Sequence, residues 1–327
     1  MTDETILITG GTGFVGSHLV EELLSKGFTK IFVTNYGSTN SYVHSILPES
    51  QIISVNLTDQ AETFHLIETL KPKWIFHLAS IAIASNSFEK AATIFQNNIG
   101  LQLNLLEAVK VHSPQSRILV VGSGMEYGMI AHDESEPVDL EKYPGVNELT
   151  ELKPTNPYAV SKITQDLLGL SYHYSYQLDV VRARPFNHIG ERQTTDFAIP
   201  AFASQIAQIE KGQQEKILVG NLDAVRDFSD VKDIVKGYIL LLEKGQSGEV
   251  YNLGGGRGYV MRNVLDMLCR MANVPITVEI DPARYRPVDV PIAVANIKKM
   301  KAIGWMPTIA LEQTLQRVLN EWRTRSL

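Results

Sequence analysis

The strongest constraint on the fold is a glycine-rich loop between a strand and a helix near the start of the chain. The apolar run Ile6-Leu7-Ile8 leads into Thr9-Gly10-Gly11-Thr12-Gly13-Phe14-Val15-Gly16 and then the helix-like Ser17-His18-Leu19-Val20. Gly10, Gly13 and Gly16 recur at every third position. A backbone that must turn sharply and approach a pyrophosphate needs glycine there, because a Cβ would stand in the way. The helix behind the loop turns its free N–H groups and positive dipole end toward that anion. A strand before and a helix after separate a dinucleotide site from a chance glycine turn. Gly10, Gly13, Phe14, Val15 and Gly16 are therefore candidate cofactor contacts.

Beyond the loop the pattern is periodic. Strand-like runs at residues 5–9, 30–34, 51–55, 74–78, 117–122 and 179–183 alternate with helix-length amphipathic patterns at 16–26, 59–70, 91–112 and 157–176. Nearly continuous apolar runs such as Ile118-Leu119-Val120-Val121 fit parallel strands buried on both faces. The alternation predicts a doubly wound parallel α/β sheet with right-handed crossovers. After Arg184 the regularity fades, and Pro185, Pro200, Pro275, Pro282, Pro287, Pro291 and Pro307 punctuate shorter elements. A length of 327 residues leaves room for a second, smaller α/β domain. We expect it to be discontinuous: residues 1–183 plus about 227–253 would bind the dinucleotide, and 184–226 plus about 254–327 the substrate.

Charge and composition exclude other classes. Lys and Arg number 30 against 36 Asp and Glu, a net charge of −6, which argues against a nucleic-acid or anionic-membrane binder. The single cysteine, Cys269, can form no intramolecular disulfide and lies in an apolar-periodic run, where it is expected to be buried filler. Lys298-Lys299-Met300-Lys301 reads as a solvated helix face. The start is acidic and lacks the basic region of a secretory signal, and the longest apolar stretch, 74–84, is too short to span a bilayer. A soluble cytoplasmic protein is expected.

The end of the second strand bears on cofactor choice. An acid about 20 residues beyond the loop would pair with a ribose 2′-hydroxyl. This chain has Thr34-Asn35-Tyr36-Gly37-Ser38, with no acid to repel a 2′-phosphate and no arginine to clamp one; Lys30 lies at the wrong end of the strand. NADP(H), with NAD(H) also tolerated, is the expected cofactor.

A catalytic group is legible further on. Tyr158-Ala159-Val160-Ser161-Lys162 opens a helix behind Pro154-Thr155-Asn156-Pro157, and residues i and i+4 share one helical face. A phenol ordinarily ionises near pH ~10, so a lysine cation beside it, with a nicotinamide ring, is expected to bring Tyr158 toward working range. Ser123, at the end of the preceding strand, can bond the same substrate oxygen. Two rival chemistries fail. Gly122-Ser123-Gly124 is no hydrolase elbow, which would need glycine at Val121, and no His-x-x-x-His or Cys-x-x-Cys pair offers a metal site. His77 and His188 read as strand-edge packing or cofactor contacts rather than metal ligands.

These segments, with His77-Leu78-Ala79-Ser80, the run 98–108 and Arg184-Pro185-Phe186-Asn187-His188, resemble the extended short-chain dehydrogenase/reductase superfamily over nearly the whole chain. The resemblance implies a Rossmann-type fold and an NAD(P)-dependent oxidoreductase acting on a nucleotide-linked sugar. It implies catalysis by Ser123, Tyr158 and Lys162, and cofactor contacts from Asn35, Asn56, Leu57, Leu78, Ala79, Ser80, Tyr158, Lys162 and His188 beside the glycine loop. Members act as 4-epimerases, 4,6-dehydratases or 4-keto reductases.

The dehydratases of this superfamily carry an acid two positions after the catalytic Ser or Thr, ahead of x-Tyr-Gly. Aligned on Tyr127-Gly128, this chain has Ser123, Gly124 and Met125 at those places, and Glu126 is shifted by one residue and expected to point elsewhere. Dehydration is disfavoured, leaving reduction or epimerisation. The run Gly220-Asn221-Leu222-Asp223-Ala224-Val225-Arg226-Asp227-Phe228 is similar to a stretch of GDP-mannose dehydratases and their partner reductases, and 281–291 to the segment that follows it. Arg226 and Arg286 are candidate diphosphate clamps, since a guanidinium fork matches phosphate oxygens. Gly124, Asn187, Asn221, Arg284 and Asp289 complete the substrate candidates. Within the resemblance these features point to the reductase branch that turns GDP-4-keto-6-deoxymannose into GDP-rhamnose. The enzymatic alternatives are a 4-epimerase and a GDP-mannose 4,6-dehydratase; the non-enzymatic one is a cofactor-sensing binding protein. Related enzymes pair two long helices into a four-helix bundle, so a homodimer through 91–112 and 157–176 is expected, with Leu101, Leu105, Ile163, Leu167, Leu170 and Tyr174 as surplus apolar positions.

Overall fold

The computed structural model describes residues 3–37, 42–82, 87–129, 139–285 and 289–325. β1 (Ile6–Thr9), α1 (Phe14–Ser25), β2 (Ile31–Asn35), α2 (Tyr42–Ile46), β3 (Ile52–Ser54), α3 (Gln60–Leu70) and β4 (Trp74–His77) form the first alternating run. α4 (Ala91–His112), β5 (Arg117–Val121), α5 (Pro157–Tyr176) and β6 (Asp179–Pro185) continue it. β7 (Asn187–Ile189), α6 (Ala198–Glu210), β8 (Ile217–Val219) and β9 (Val225–Asp230) depart from it, and α7 (Val231–Lys244) and β10 (Val250–Leu253) rejoin it. β11 (Gly258–Val260), α8 (Met261–Arg270), β12 (Val278–Ile280), β13 (Ile292–Ala293), α9 (Lys298–Ala302) and α10 (Leu311–Thr324) follow.

Seven parallel strands form the main sheet in the order β10-β6-β5-β4-β1-β2-β3. From β1 the chain winds outward through β2 and β3, then crosses back to β4 and winds the other way. The reversal falls between β1 and β4, and a doubly wound sheet opens its ligand crevice at the carboxyl ends of the strands at that point. Burial on both faces explains the apolar strands: Ile6, Leu7 and Ile8, and Ile118, Leu119 and Val120, are sealed from solvent. One face packs Leu19 and Leu23 of α1 and Ile234, Val235 and Tyr238 of α7; the other packs Leu66, Ile67, Leu101, Leu105, Leu106 and Tyr172.

A second layer carries a four-stranded sheet, β11-β9-β13 with β7 on the other part of β9, and a parallel pair, β12-β8. α6, α8 and α10 close a separate core there, with Ile199, Phe202, Leu265, Leu315 and Val318 at its centre.

The six strands and four helices read from periodicity are present, shifted by a residue or two. α1 begins at Phe14, so the last loop glycine is already helical, and β6 runs on to Pro185, after which Phe186 N–H donates to Leu253 O at 2.7 Å. Three expectations are corrected. Leu101 and Leu105 point onto the sheet and are buried in its core, so they are not surplus to it. Cys269 is half-buried at the edge of the second core. In α9, Lys298 and Lys301 are solvated, but Met300 is fully buried and Lys299 donates to Glu249. Among the described residues no helix is long and apolar enough to cross a membrane.

Candidate active site

The glycine loop sits at the carboxyl end of β1, beside the switch point. Gly10 adopts φ +67°, and a Cβ there would lie 3.0 Å from the Ala79 backbone. A Cβ on Gly16 would lie 2.6 Å from both Gly10 O and Gly11 Cα. Gly13 N–H closes the turn onto Gly10 O at 3.0 Å, and Gly13 caps α1 with no side-chain acceptor, so the first amides of the helix face outward for an anion. The loop is tied to β2 by Gly10 N–H donating to Thr34 Oγ1 at 3.0 Å and Thr12 Oγ1 donating to Asn35 Oδ1 at 3.1 Å. Phe14 stacks on His188 at 6.0 Å and 6° between planes, which brings His188 from β7 to the loop. Leu78, Ala79 and Ser80 line the half-buried strand end opposite; Ala79 N–H donates to Thr9 Oγ1 at 3.2 Å. Asn56 and Leu57 follow β3 on the same edge of the sheet, but the Leu57 side chain is committed to the core and its carbonyl accepts from Thr63 Oγ1 and Asn104 Nδ2. This narrow cradle with uncapped amides fits a dinucleotide pyrophosphate.

The catalytic candidates meet at the ends of β4 and β5. Asn156 accepts from Ala159 N–H at 2.9 Å and Pro157 opens α5, and this cap sets the helix that carries Tyr158 and Lys162. Both side chains are buried, on one helical face; Lys162 Nζ donates to Val121 O at 3.0 Å, and Ser123 hydrogen-bonds the Tyr158 phenol. Burial pushes Tyr158 well above its ordinary ionisation point and pulls Lys162 down to about 8. Without the nicotinamide ring, desolvation outweighs the hydrogen bond from Ser123, and the phenol is held in its protonated form. His77, buried at the end of β4, shares a 2.8 Å hydrogen bond between Nδ1 and Thr9 Oγ1, and burial together with Lys162 takes it down to about 3, so it stays neutral.

The turn after Ser123 settles where Glu126 points. Residues 124–127 form a single 3-10 turn in which Ser123 Oγ accepts from Met125 N–H at 3.1 Å and Glu126 Oε1 accepts from Ser123 N–H at 2.7 Å. The Glu126 carboxylate is fully buried, and its Oε2 lies 2.9 Å from Nε of Arg184. Arg184 also donates to Asp166, one turn beyond Lys162 on α5, and to Tyr127 Oη at 3.1 Å. Arg182 donates to the other Asp166 oxygen at 2.9 Å. Burial and the neighbouring Asp166 push Glu126 up, against the pull of Arg184.

The substrate candidates fall in three places. Gly124 is buried under Phe186, whose ring atoms would lie 2.8 Å from a Cβ there, and Asn187 is exposed on β7. Asn221, Arg226 and Asp289 form a cluster: Arg226 Nη2 donates to Asp289 Oδ1 at 2.5 Å and Asn221 Nδ2 to Oδ2 at 2.9 Å. Arg284 pairs with Asp281 at 3.3 Å on an exposed turn whose backbone abuts Gly220. Arg286 lies outside the described residues. Sequence reading passed over Asp166, Arg182 and Asp227. The available signal for Asp166 was its spacing, since Tyr158, Lys162 and Asp166 stand at i, i+4 and i+8 on one face. Asp227 is fully buried and accepts from Gly255, Gly256 and Ala295 N–H, joining the loop after β10 to the segment after β13. Among the described residues no group of His, Cys, Asp and Glu could hold a metal ion.

The model of a family described as GDP-mannose 4,6 dehydratase matches residues 7–318. The GDP-6-deoxy-D-mannose reductase of Pseudomonas aeruginosa is 32% identical over 324 residues, 98% of each chain. The solved structure of RMD from Pseudomonas aeruginosa complexed with NADPH aligns with a TM-score of 0.82 at 30% identity, over 98% of this chain and 99% of that one. The UDP-glucose 4-epimerase of Thermus thermophilus in complex with NAD aligns with a TM-score of 0.85 at 26% identity, over the same shares.

Proposed function

The chain belongs to the GDP-mannose 4,6-dehydratase family, and from that premise we propose that it reduces the C4 ketone of GDP-4-keto-6-deoxy-D-mannose to give GDP-D-rhamnose. It is an NAD(P)-dependent enzyme of oxidoreductase type. The observation that carries the choice of reaction is the inward turn of Glu126. Eliminating water from a hexose needs a carboxyl group facing the sugar, and Gly124 and Met125 offer none, while the Glu126 carboxylate is spent on Ser123 N–H and Arg184. The reducing set, Ser123, Tyr158 and Lys162, is complete.

The reduced nicotinamide supplies a hydride to C4 when bound. Tyr158, kept protonated by burial, donates its proton to the carbonyl oxygen, so ketone, hydride and proton become the alcohol. Ser123 polarises that oxygen through its hydroxyl. Lys162, anchored on Val121 O, bonds the cofactor ribose and stabilises the phenolate that Tyr158 becomes. Asn187 orients the sugar, Arg226 and Arg286 take the diphosphate, and Arg284 is a further substrate contact. The site assignment and the division of the chain into a dinucleotide part and a substrate part are included in this proposal. The end of β2, without acid, favours NADPH over NADH.

Purified protein given GDP-4-keto-6-deoxymannose and NADPH is expected to consume reduced cofactor and yield a product heavier by two hydrogens. No loss of cofactor absorbance beside an active control enzyme would overturn the reductase reading. Conversion of a nucleotide sugar without net redox change, with NAD⁺ retained through purification, would replace it by epimerisation.

A homodimer through α4 and α5 is part of the same proposal. Leu103, Leu167 and Tyr174 are exposed, with 40%, 49% and 69% of their surfaces accessible, and Ile163 and Leu170 are half-buried beside them. Sedimentation should give twice the chain mass, and Leu167→Glu should shift it to the monomer. A monomeric parent protein at micromolar concentration would sink this assignment.

A further inference from the structure

We propose that Glu126 is a positioning residue for the reduction: an internal carboxyl group that aims Ser123 and, on the alkaline side where it is ionised, sets a negative charge beside Tyr158 and Lys162. The proposal rests on the reductase reading only for its kinetic assay.

Three observations carry it. First, Glu126 acts on Ser123 directly, because its Oε1 accepts from Ser123 N–H at 2.7 Å and so fixes the residue whose hydroxyl bonds Tyr158. Second, the strand end is shaped around this carboxylate. A Cβ on Gly122 would lie 2.1 Å from Glu126 Oε1, so a side chain there would displace the carboxyl group from its place on Ser123 N–H. Third, Glu126 is more than a cap needs. Its Oε2 is sealed from solvent and lies 2.9 Å from Arg184 Nε, yet accepts no hydrogen bond, because that N–H points to Asp166. A buried charged oxygen left short of donors is costly. An amide would serve Ser123 N–H equally well but would turn its NH2 toward Arg184 Nε, 2.9 Å away, so the guanidinium suits an anionic oxygen there.

The charge has an evident destination. Two guanidiniums, Arg182 and Arg184, face two carboxylates, Asp166 and Glu126, and Lys162 stands alongside on α5. With Glu126 ionised the inner cluster is neutral, so Lys162 is not opposed by a surplus cation. With a neutral residue there, the surplus would weaken Lys162 as a cation and favour Tyr158 as an anion. The groups around the pair are Glu126 and Tyr127 from the turn, Asp166 from α5, Arg182 and Arg184 from β6, neutral His77 from β4, and the buried phenol of Tyr238 from α7.

Two variants separate charge from aim. Glu126→Gln keeps an acceptor for Ser123 N–H and removes the charge. On the alkaline side Glu126 is ionised, so its loss lets Tyr158 ionise at lower pH. Reduction needs the protonated phenol, so the alkaline limb of the turnover profile should move down by about one pH unit. The same shift should appear in an ultraviolet titration of tyrosinate in the NADP⁺-bound protein, taken as the difference from Tyr158→Phe. That titration does not depend on which sugar nucleotide is reduced, so it separates failure of this proposal from failure of the reductase reading. Glu126→Asp keeps the charge but withdraws it by one methylene; turnover should fall about tenfold with the limb in place. A titration and profile matching the parent in Glu126→Gln, or, where that variant does not fold, parent turnover in Glu126→Asp, would reduce Glu126 to a fold-stabilising cap.

Discussion

Tyr158→Phe is expected to lower turnover about a thousandfold while leaving NADPH affinity within a few-fold of the parent, the usual loss when a positioned general acid is removed. The phenol is the protonated group held between Ser123 and the Lys162 side of α5, and removing its oxygen leaves the carbonyl of the sugar with no proton donor. Ser123 cannot take over, because an aliphatic hydroxyl is a far weaker acid than a phenol and its alkoxide a far worse conjugate base than phenolate. The ring that fills the helix opening is retained, so the fold and the cradle at β1 should be undisturbed. Stopped-flow measurement of hydride transfer together with a fluorescence titration of NADPH separates the two effects. Residual turnover above a tenth of the parent rate would remove Tyr158 from the role of acid.

The largest loss of stability is expected from Asp166→Ala. Asp166 is almost wholly buried and holds Arg182 through one oxygen at 2.9 Å and Arg184 through the other at 2.5 Å. Removing it leaves two buried guanidiniums with Glu126 as their one remaining carboxylate in the cluster. Breaking a buried pair in this way costs about 3–5 kcal/mol, well above the median for exposed ion pairs. Urea unfolding of Asp166→Ala against Arg117→Ala, which breaks a more solvated pair with Asp179, makes the comparison within one chain. A loss below about 1 kcal/mol for Asp166→Ala would mean that water or a shifted side chain compensates the arginines.

The legible part of this protein was its repetitive part. β1 to β6 and the helices between them announce themselves because burial on both faces makes each strand apolar, and packing on a sheet makes each helix amphipathic. The candidate pair Tyr158 and Lys162 was legible because the two share a helical face. The small sheets were not, because β7, β8, β11 and β12 are three residues each and β13 two, too short for any period to appear. Glu126 was placed only by exclusion: one turn of 3-10 helix decides whether residue 125 or 126 faces inward, and the deciding partner, Arg184, stands more than fifty residues away. Asp166 was missed for the same reason, since its partners come from β6. The sequence displays the cation near Tyr158 but not the depth at which both groups lie.

The interleaving of the sheets has a consequence for recombination between relatives. β7, β9, β11 and β13 build one small sheet, yet α7 and β10, which lie between β9 and β11, pack into the main one. A chimaera made at a single junction anywhere from β7 to β11 would therefore join half of one parent's small sheet to half of the other's. Transplanting selectivity requires one junction ahead of β7 and one on either side of the stretch from α7 to β10, with Asp227 and the amides it holds inherited from the same parent. Evolution by simple crossover is restricted in the same way, which leaves point substitution as the easier route by which a chain of this architecture acquires a new sugar.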